Sequence, residues 1–354
     1  MTIALRLQAA LEAATSPLAP ARAALAVDAP ALGLAWRGGT ADRPFRIASI
    51  TKPFVAATIH RLREEGVLTL DDTIARHATA ETLLALTRGG YDCGAITLAQ
   101  LLSHTSGLTD HSVAPGFVRA VAADPRRRWT RAEQIALAMR AGPPIGPPGA
   151  CYAYADTGYI VLGEIIERVT GLSLAQAVRR LVRLDALGMA QTWWETLEEP
   201  PAGAPELQPQ WHDGASASDW HPSFDLFGGG GLISTVGDLN RFLAALLAGE
   251  ILRPATVAEA LATPAVAPAQ ATTPGRNHSL LLATMRIGER WCLGHTGFWG
   301  SATVRLPGTG ATVSLSINAS GDRAWRAMLD LLELIDTMLV AEWCSRSAAA
   351  KLSP

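Results

Sequence analysis

Apolar positions along the chain switch between two spacings, and the switch points divide it into regions. The first residues read as a short amphipathic helix, while Ala31 to Arg37 and Pro44 to Ala48 read as strands. From Phe54 to Glu65 the spacing becomes helical, with Val55, Ile59 and Leu62 on one face. Ile160 to Val169 predicts a buried helix through Ile160, Leu162, Ile165, Ile166 and Val169. Thr235, with Asp238 three residues on, is the predicted N-cap of a helix ending near Gly249. Strand-like runs return at Leu280 to Ile287, Trp291 to Gly294, Ser301 to Leu306 and Thr312 to Ile317. The last two flank Pro307-Gly308-Thr309-Gly310, a turn suited to an antiparallel hairpin. A final helix over Ala324 to Val340 carries Trp325, Met328, Leu332, Ile335 and Leu339 on one face. Between about 76 and 219 the chain is helical and loop-rich, and no internal repeat is present.

Composition narrows the class. With 354 residues, 49% of them hydrophobic and 18% charged, the chain can bury a large core, which excludes disorder as its dominant state. A formal charge of −2 removes the broad basic footprint of a nucleic-acid binder. Arg126, Arg127 and Arg128 form the only dense basic run and read as a solvated turn or helix end. No apolar run is long enough to predict a membrane-spanning helix, so no membrane partner is expected. Arg6 and Glu12 interrupt what would be the apolar region of a signal peptide. Cys93, Cys151, Cys292 and Cys344 show no C-x-x-C pairing and are expected to be reduced thiols, so the chain reads as cytoplasmic.

Scarcity points to the chemistry. Among thirty basic residues only Lys52 and Lys351 are lysines, and Lys351 lies in a small-residue tail. A lysine amine can be neutralised and then accept a proton, whereas arginine stays charged. Lys52 is therefore either a candidate base or a surviving surface lysine. It follows Ser49 by three residues, which on a helix places both on one face a turn apart. Pro53 fits there because first-turn N–H groups lack intrahelical partners. A serine at a helix N-terminus also has main-chain N–H groups nearby for a developing oxyanion.

Tyrosine is also scarce, with four in the chain, and Tyr152, Tyr154 and Tyr159 cluster after the Pro147-Pro148-Gly149 loop. A loop tyrosine ahead of a buried helix can project its hydroxyl into a cleft. Tyr152 and Tyr159 read as packing residues.

Ser49-x-x-Lys52, Tyr154-Ala155-Asp156 and His295-Thr296-Gly297 together resemble the three motifs of serine β-lactamases and penicillin-binding proteins. The version is similar to that of class C-like serine hydrolases, which include esterases and D-amino-acid peptidases. Leu101 to Leu108, the Pro148-Gly149 and Gly158-Tyr159 flanks, and Gly230 to Thr235 with Asp238-Leu239 extend the likeness from about Ala31 to Asn318. The resemblance implies one α+β catalytic domain over 1–354, of β-lactamase/transpeptidase type. An antiparallel sheet flanked by helices (about 1–75 and 220–354) would carry an inserted helical part (about 76–219), with the site between them.

The resemblance also implies roles. Ser49 would be the nucleophile, and Lys52 and Tyr154 would move its proton. The N–H groups of Ser49 and of Phe298, after Gly297 on an edge strand, would form the oxyanion hole. Thr296 and Gly297 would line the substrate site. No metal or cofactor is implied, since no ligand set beyond Cys292 and His295 has zinc-like spacing. Two positions depart from the family pattern. His295 stands where the third motif often has a carboxylate-anchoring Lys. Asp156 stands where Asn is usual, and a carboxylate accepts hydrogen bonds without donating them. Asp156 is also placed to pair with Lys52, favouring the charged amine. Both departures disfavour β-lactams, and His295 in place of Lys favours neutral esters or amides.

The expected activity is a carboxylesterase working on small or medium acyl esters through an acyl-enzyme on Ser49. The alternatives are a D-amino-acid peptidase or amidase, an acyltransferase, a β-lactamase, or a silent ligand receptor. A small-molecule ester or amide is the expected partner, and the sequence leaves the oligomeric state open. Trp220 and Trp299, with Trp211, Phe224 and Phe227, are expected to line an apolar acyl or alcohol pocket. Trp193 and Trp194 are expected to pack in the helical part. His104 and Ser106-Gly107 read as capping, packing and turn residues. The Gly228 to Gly231 run lacks the P-loop lysine and reads as structural.

Overall fold

The computed structural model describes residues 1–262 and 276–352. Helix α1 (Ile3–Thr15) leads into β1 (Ala24–Ala29) and β2 (Leu34–Gly39). This strand pair starts earlier than the sequence pattern predicts. Pro30–Leu32 forms a 3₁₀ turn closed by Gly33 in the left-handed region (φ 58°), so part of the predicted Ala31 strand is a connection. After the short β3 (Phe45–Arg46) comes α2 (Lys52–Glu64), which is buried along nearly its whole length.

The inserted helical part follows. It comprises α3 (Ile74–His77), α4 (Ala80–Arg88), α5 (Leu98–Leu102), α6 (Phe117–Ala123), α7 (Arg131–Ala141), α8 (Asp156–Thr170) and α9 (Leu174–Val182). Reciprocal capping boxes start three of these helices: Thr97 with Gln100, Thr130 with Glu133, and Ser173 with Gln176. Helix α8 begins at Asp156, so Tyr159 lies within the helix and not in the loop before it.

Strands β4 (Trp193–Trp194) and β7 (Leu232–Ser234) join β3 in a small antiparallel sheet. Trp193 and Trp194 are thus strand residues, and Trp194 packs in the core shared with α8 and α9. A second small sheet combines β5 (Trp211–His212), β6 (Ala215–Ser216) and β13 (Ala319–Ser320). Thr235 caps α10 (Val236–Leu247) by accepting from the Asp238 amide, as the sequence predicts. Helix α11 (Pro254–Ala260) then leads to β8 (Arg276–His278), β9 (Ala283–Ile287), β10 (Arg290–Gly297), β11 (Ser301–Leu306) and β12 (Ala311–Ser316). Helix α12 (Asp322–Leu352) runs well past Val340.

The main sheet has the order β2-β1-β12-β11-β10-β9-β8 and every pairing is antiparallel. Its two faces bury different cores. Along β1, Leu25, Val27 and Ala29 face α1 and α12, while Ala24 and Ala26 join the larger core that contains α2, α8, α9 and α10. This alternation is the period of two that a sheet covered on both faces requires. Helix α2 packs against both α8 and α9, which places its first turn where the sheet meets the helical part.

Candidate active site

The junction of β3 and α2 presents Ser49. Ala48–Thr51 is a 3₁₀ turn, and Ala48 before the serine has a left-handed φ of 47°. A non-glycine residue there costs about 1–2 kcal/mol, so surrounding contacts must hold it. One such contact is β10. A methyl on Gly297 would meet the Ile47 carbonyl oxygen at 2.3 Å, so the glycine is what lets the strand lie against the serine turn. Strand β10 is interior, between β9 and β11, which corrects its expected position at the sheet edge. Its last residues nevertheless pair only with β11, because the β9 register stops at Gly294.

Lys52 is fully buried. Its Nζ donates to Ser49 Oγ at 3.0 Å and to the Gly229 carbonyl at 2.7 Å, and it lies 2.5 Å from Asp156 Oδ1. An ammonium has three N–H donors, and these three acceptors occupy them. The glycine run makes the second contact possible. Gly228 has φ 120°, and a methyl there would meet the Tyr159 carbonyl at 2.4 Å, so the run presses onto α8 and aims the Gly229 carbonyl at Lys52.

Asp156 opens α8 beside this amine. Burial pushes its carboxyl up, but the Lys52 ammonium, His111 and hydrogen bonds from Lys52 and Tyr154 more than offset it, and the group is held below the usual range. The Tyr154 hydroxyl therefore reaches Asp156, and Lys52 Nζ lies 5.0 Å from the Tyr154 ring centroid. The three motif positions converge with Asp156 at their centre.

His104, read from the sequence as a capping or packing residue, is the group that holds Tyr154. His104 stacks on the Tyr154 ring at 4.3 Å between centroids. Its carbonyl accepts from the Ala153 amide at 2.8 Å, and its Nδ1 accepts from the Ala155 amide at 3.1 Å. The histidine clamps the backbone on both sides of the tyrosine. His104→Leu is expected to lower kcat about tenfold with little change in KM, because it would free the phenol to rotate while sparing the cavity wall. Steady-state kinetics on one ester check this, and an unchanged kcat would show that Tyr154 is held without it.

A cavity of about 270 Å³ opens beside Ser49, lined also by Tyr154, Asp156, Asp225, Thr296 and Gly297. Phe117, Val118, Phe224 and Phe298 form its apolar walls, with Val113 and Trp325 exposed beside it. Trp220 and Trp299 stand one layer back, buried against Phe224 and Phe298, so they support the wall and do not form it. Trp211 and Phe227 are also absent from the lining. His295 is fully buried, with Nδ1 2.7 Å from the Thr296 carbonyl oxygen, so its side chain is not on the cavity wall either. Its neighbours Thr296 and Gly297 are on the wall.

Residues 29–335 match the family model described as Beta-lactamase. The chain belongs to the beta-lactamase family. Over 230 residues it is 27% identical to an unguisins hydrolase of Aspergillus violaceofuscus, covering 58% of this chain and 37% of that protein. Over 244 residues it is 30% identical to the esterase EstB of Burkholderia gladioli, covering 62% of this chain and 61% of the relative. The match therefore spans less than two thirds of either curated relative. Among solved structures it is similar to the D-amino acid amidase of Ochrobactrum anthropi SV3 in complex with L-phenylalanine. That likeness has a TM-score of 0.79 and 26% identity, over 96% of this chain and 99% of the amidase. Within the beta-lactamase fold, the region where all three motifs meet is thus the cavity beside Ser49. No described helix is long and apolar enough to cross a membrane, and no described residues group as metal ligands.

Proposed function

We propose that this chain is a serine hydrolase that forms an acyl-enzyme on Ser49 and acts as a carboxylesterase on small or medium acyl esters. The observation that carries the proposal is the 3.0 Å contact between Lys52 Nζ and Ser49 Oγ at the wall of a largely apolar cavity. In the resting arrangement Lys52 has no lone pair to offer. That ammonium must first lose a proton to solvent, leaving a neutral amine beside the Asp156 carboxylate. The amine then takes the Ser49 proton as Oγ attacks the ester carbon. The N–H groups of Ser49 and Phe298 are assigned to the oxyanion, each worth about 3 kcal/mol in the transition state. Tyr154, hydrogen-bonded to Asp156, gives its proton to the leaving alkoxide and is reprotonated by the Lys52 ammonium, which becomes the neutral amine again. Water attacks the acyl-enzyme by the reverse path, releasing acid and restoring Ser49.

Esters are favoured over β-lactams by two features. Asp156 is occupied by Lys52 and Tyr154 and cannot donate to an acylamide carbonyl. The His295 side chain is absent from the cavity wall and so cannot anchor a substrate carboxylate there. D-amino-acid amide hydrolysis is the second reading, supported by the extent of the likeness to the amidase.

Intact mass after treatment with a serine-directed phosphonate tests the nucleophile. One adduct is expected in the native chain and in Ser106→Ala, and none in Ser49→Ala. Turnover is expected to rank p-nitrophenyl butanoate above D-alanine anilide, with a chromogenic cephalosporin slowest. Faster cephalosporin turnover would overturn the ester assignment.

A further inference from the structure

One carboxyl on the cavity wall has no use in the mechanism above. Asp225 follows Phe224 in a 3₁₀ turn ahead of the glycine run and lines the same cavity as Ser49. A methyl on Gly230 would meet its Oδ2 at 2.3 Å, so the glycine leaves the carboxyl its place. Among the described residues it makes no hydrogen bond and no ion pair. Arg46, which shares a small internal space with it, commits Nε and Nη2 to Glu195 at 2.8 and 2.9 Å. Lys52 is already engaged by Asp156.

The surroundings are rich in carboxyls and poor in cations. Asp110 accepts from the amide and hydroxyl of Ser112, itself a cavity residue. Burial, then Asp156, pushes the Asp110 carboxyl up to about 7. The same two causes, in the same order, push Asp225 up to about 8. His111 is driven down to about 4, chiefly by burial, and adds no positive charge near neutrality. Three carboxyls thus face Lys52, and the Arg46 guanidinium, paired with Glu195, is the second cation acting on Asp225. As Asp110 and Asp225 ionise, at and above about pH 7 to 8, an entering cation is attracted and an entering carboxylate repelled. The rings of Phe117, Phe224 and Phe298 on the same wall suit a cation with an apolar body.

We propose that Asp225 is a specificity-determining residue that binds a protonated amine near the scissile carbonyl, so that the preferred substrates are amino-acyl esters or amides with an apolar side chain. This rests on acylation at Ser49 and narrows the acyl group. The ammonium donates to the ionised Asp225 carboxylate, and near neutrality, where this carboxyl is mostly protonated, binding releases its proton to solvent.

The test compares phenylalanine methyl ester, in each enantiomer, with methyl 2-methyl-3-phenylpropanoate, in which a methyl replaces the ammonium. Each kcat/KM is divided by the rate of hydroxide-catalysed hydrolysis of the same ester. The better amino-acyl enantiomer is expected to lead its isostere at least tenfold. Asp225→Asn is expected to reduce that ratio about tenfold or more. A normalised ratio of one or below in the native chain overturns the proposal, as does a ratio in Asp225→Asn within twofold of native. Should turnover fail, calorimetric titration of Ser49→Ala with the same esters decides the matter: at least tenfold tighter binding of the amino ester supports it, and equal affinity overturns it. Loss of phosphonate labelling would instead condemn the Ser49 reading.

The variant carries its own folding control. A carboxyl raised from its unfolded value to about 8 binds more protons in the folded chain, so its contribution to stability is lost as pH rises through that window. Asp225→Asn should therefore raise Tm more at pH 8.5 than at pH 5.

Discussion

Lys52→Ala is expected to lower ester turnover at least a thousandfold and to destabilise the fold by about 3–5 kcal/mol, the usual cost of stripping one partner from a buried ion pair. The two losses have separate causes, and a double variant separates them. Activity falls because Ser49 Oγ loses the nitrogen 3.0 Å away that would take its proton. Stability falls because Asp156, 7% exposed, is left with a buried negative charge beside Asp110 and Asp225. In Lys52→Ala/Asp156→Asn that charge is gone. Most of the stability should return, while activity should stay as low as in the single variant. Denaturant unfolding and kcat/KM on a p-nitrophenyl ester read the two quantities. Recovery of stability together with activity would mean that Lys52 serves the fold and not the chemistry.

The parts of this site that could be read in the sequence are those fixed by local geometry. Ser49 and Lys52 are one turn apart, so their contact follows from spacing alone. The helix after Thr235 was legible for the same reason, since its cap and first turn are contiguous. Phe117, Phe224, Phe298 and Trp325 come from four separate elements, and their meeting at one cavity depends on how the helical part sits on the sheet. Trp220 and Trp299 show the converse. Their size and position near motifs suggested a wall, but tertiary packing gave that place to phenylalanines and sealed the tryptophans behind them. Asp110 and Asp225 carried no spacing signal, because an acid in a loop is ordinarily solvated. Only the fold shows that both face Lys52 and Asp156 in a buried setting. The packing and capping role of His104 was legible, but that its ring lies on Tyr154 and its Nδ1 accepts from the Ala155 amide depends on the fold.

Asp156→Asn should move the acidic limb of the kcat/KM profile to lower pH by at least one unit and raise turnover of amides at neutral pH. The sign follows from the pair. The carboxylate 2.5 Å from Lys52 Nζ favours the charged amine, and an amide in its place removes that attraction. Lys52 is fully buried, so without the counter-charge desolvation favours the neutral amine, which is the form able to accept the Ser49 proton. The active form therefore appears at lower pH. The Asn side chain also gains an N–H that could donate to an acylamide carbonyl, which the carboxylate lacks. A competing effect fixes the limit of the gain: Asp110 and Asp225, relieved of repulsion from Asp156, ionise more readily and partly restore a negative field around the amine. Esters, which need no such donor, should benefit less than amides. A pH–rate profile for one ester and one amide with the native chain and the variant measures both effects. An acidic limb that moves upward or stays in place would show that the Asp156 carboxylate is itself required to receive the proton leaving Lys52, and that the exchange within the pair, not the bare amine, sets the rate.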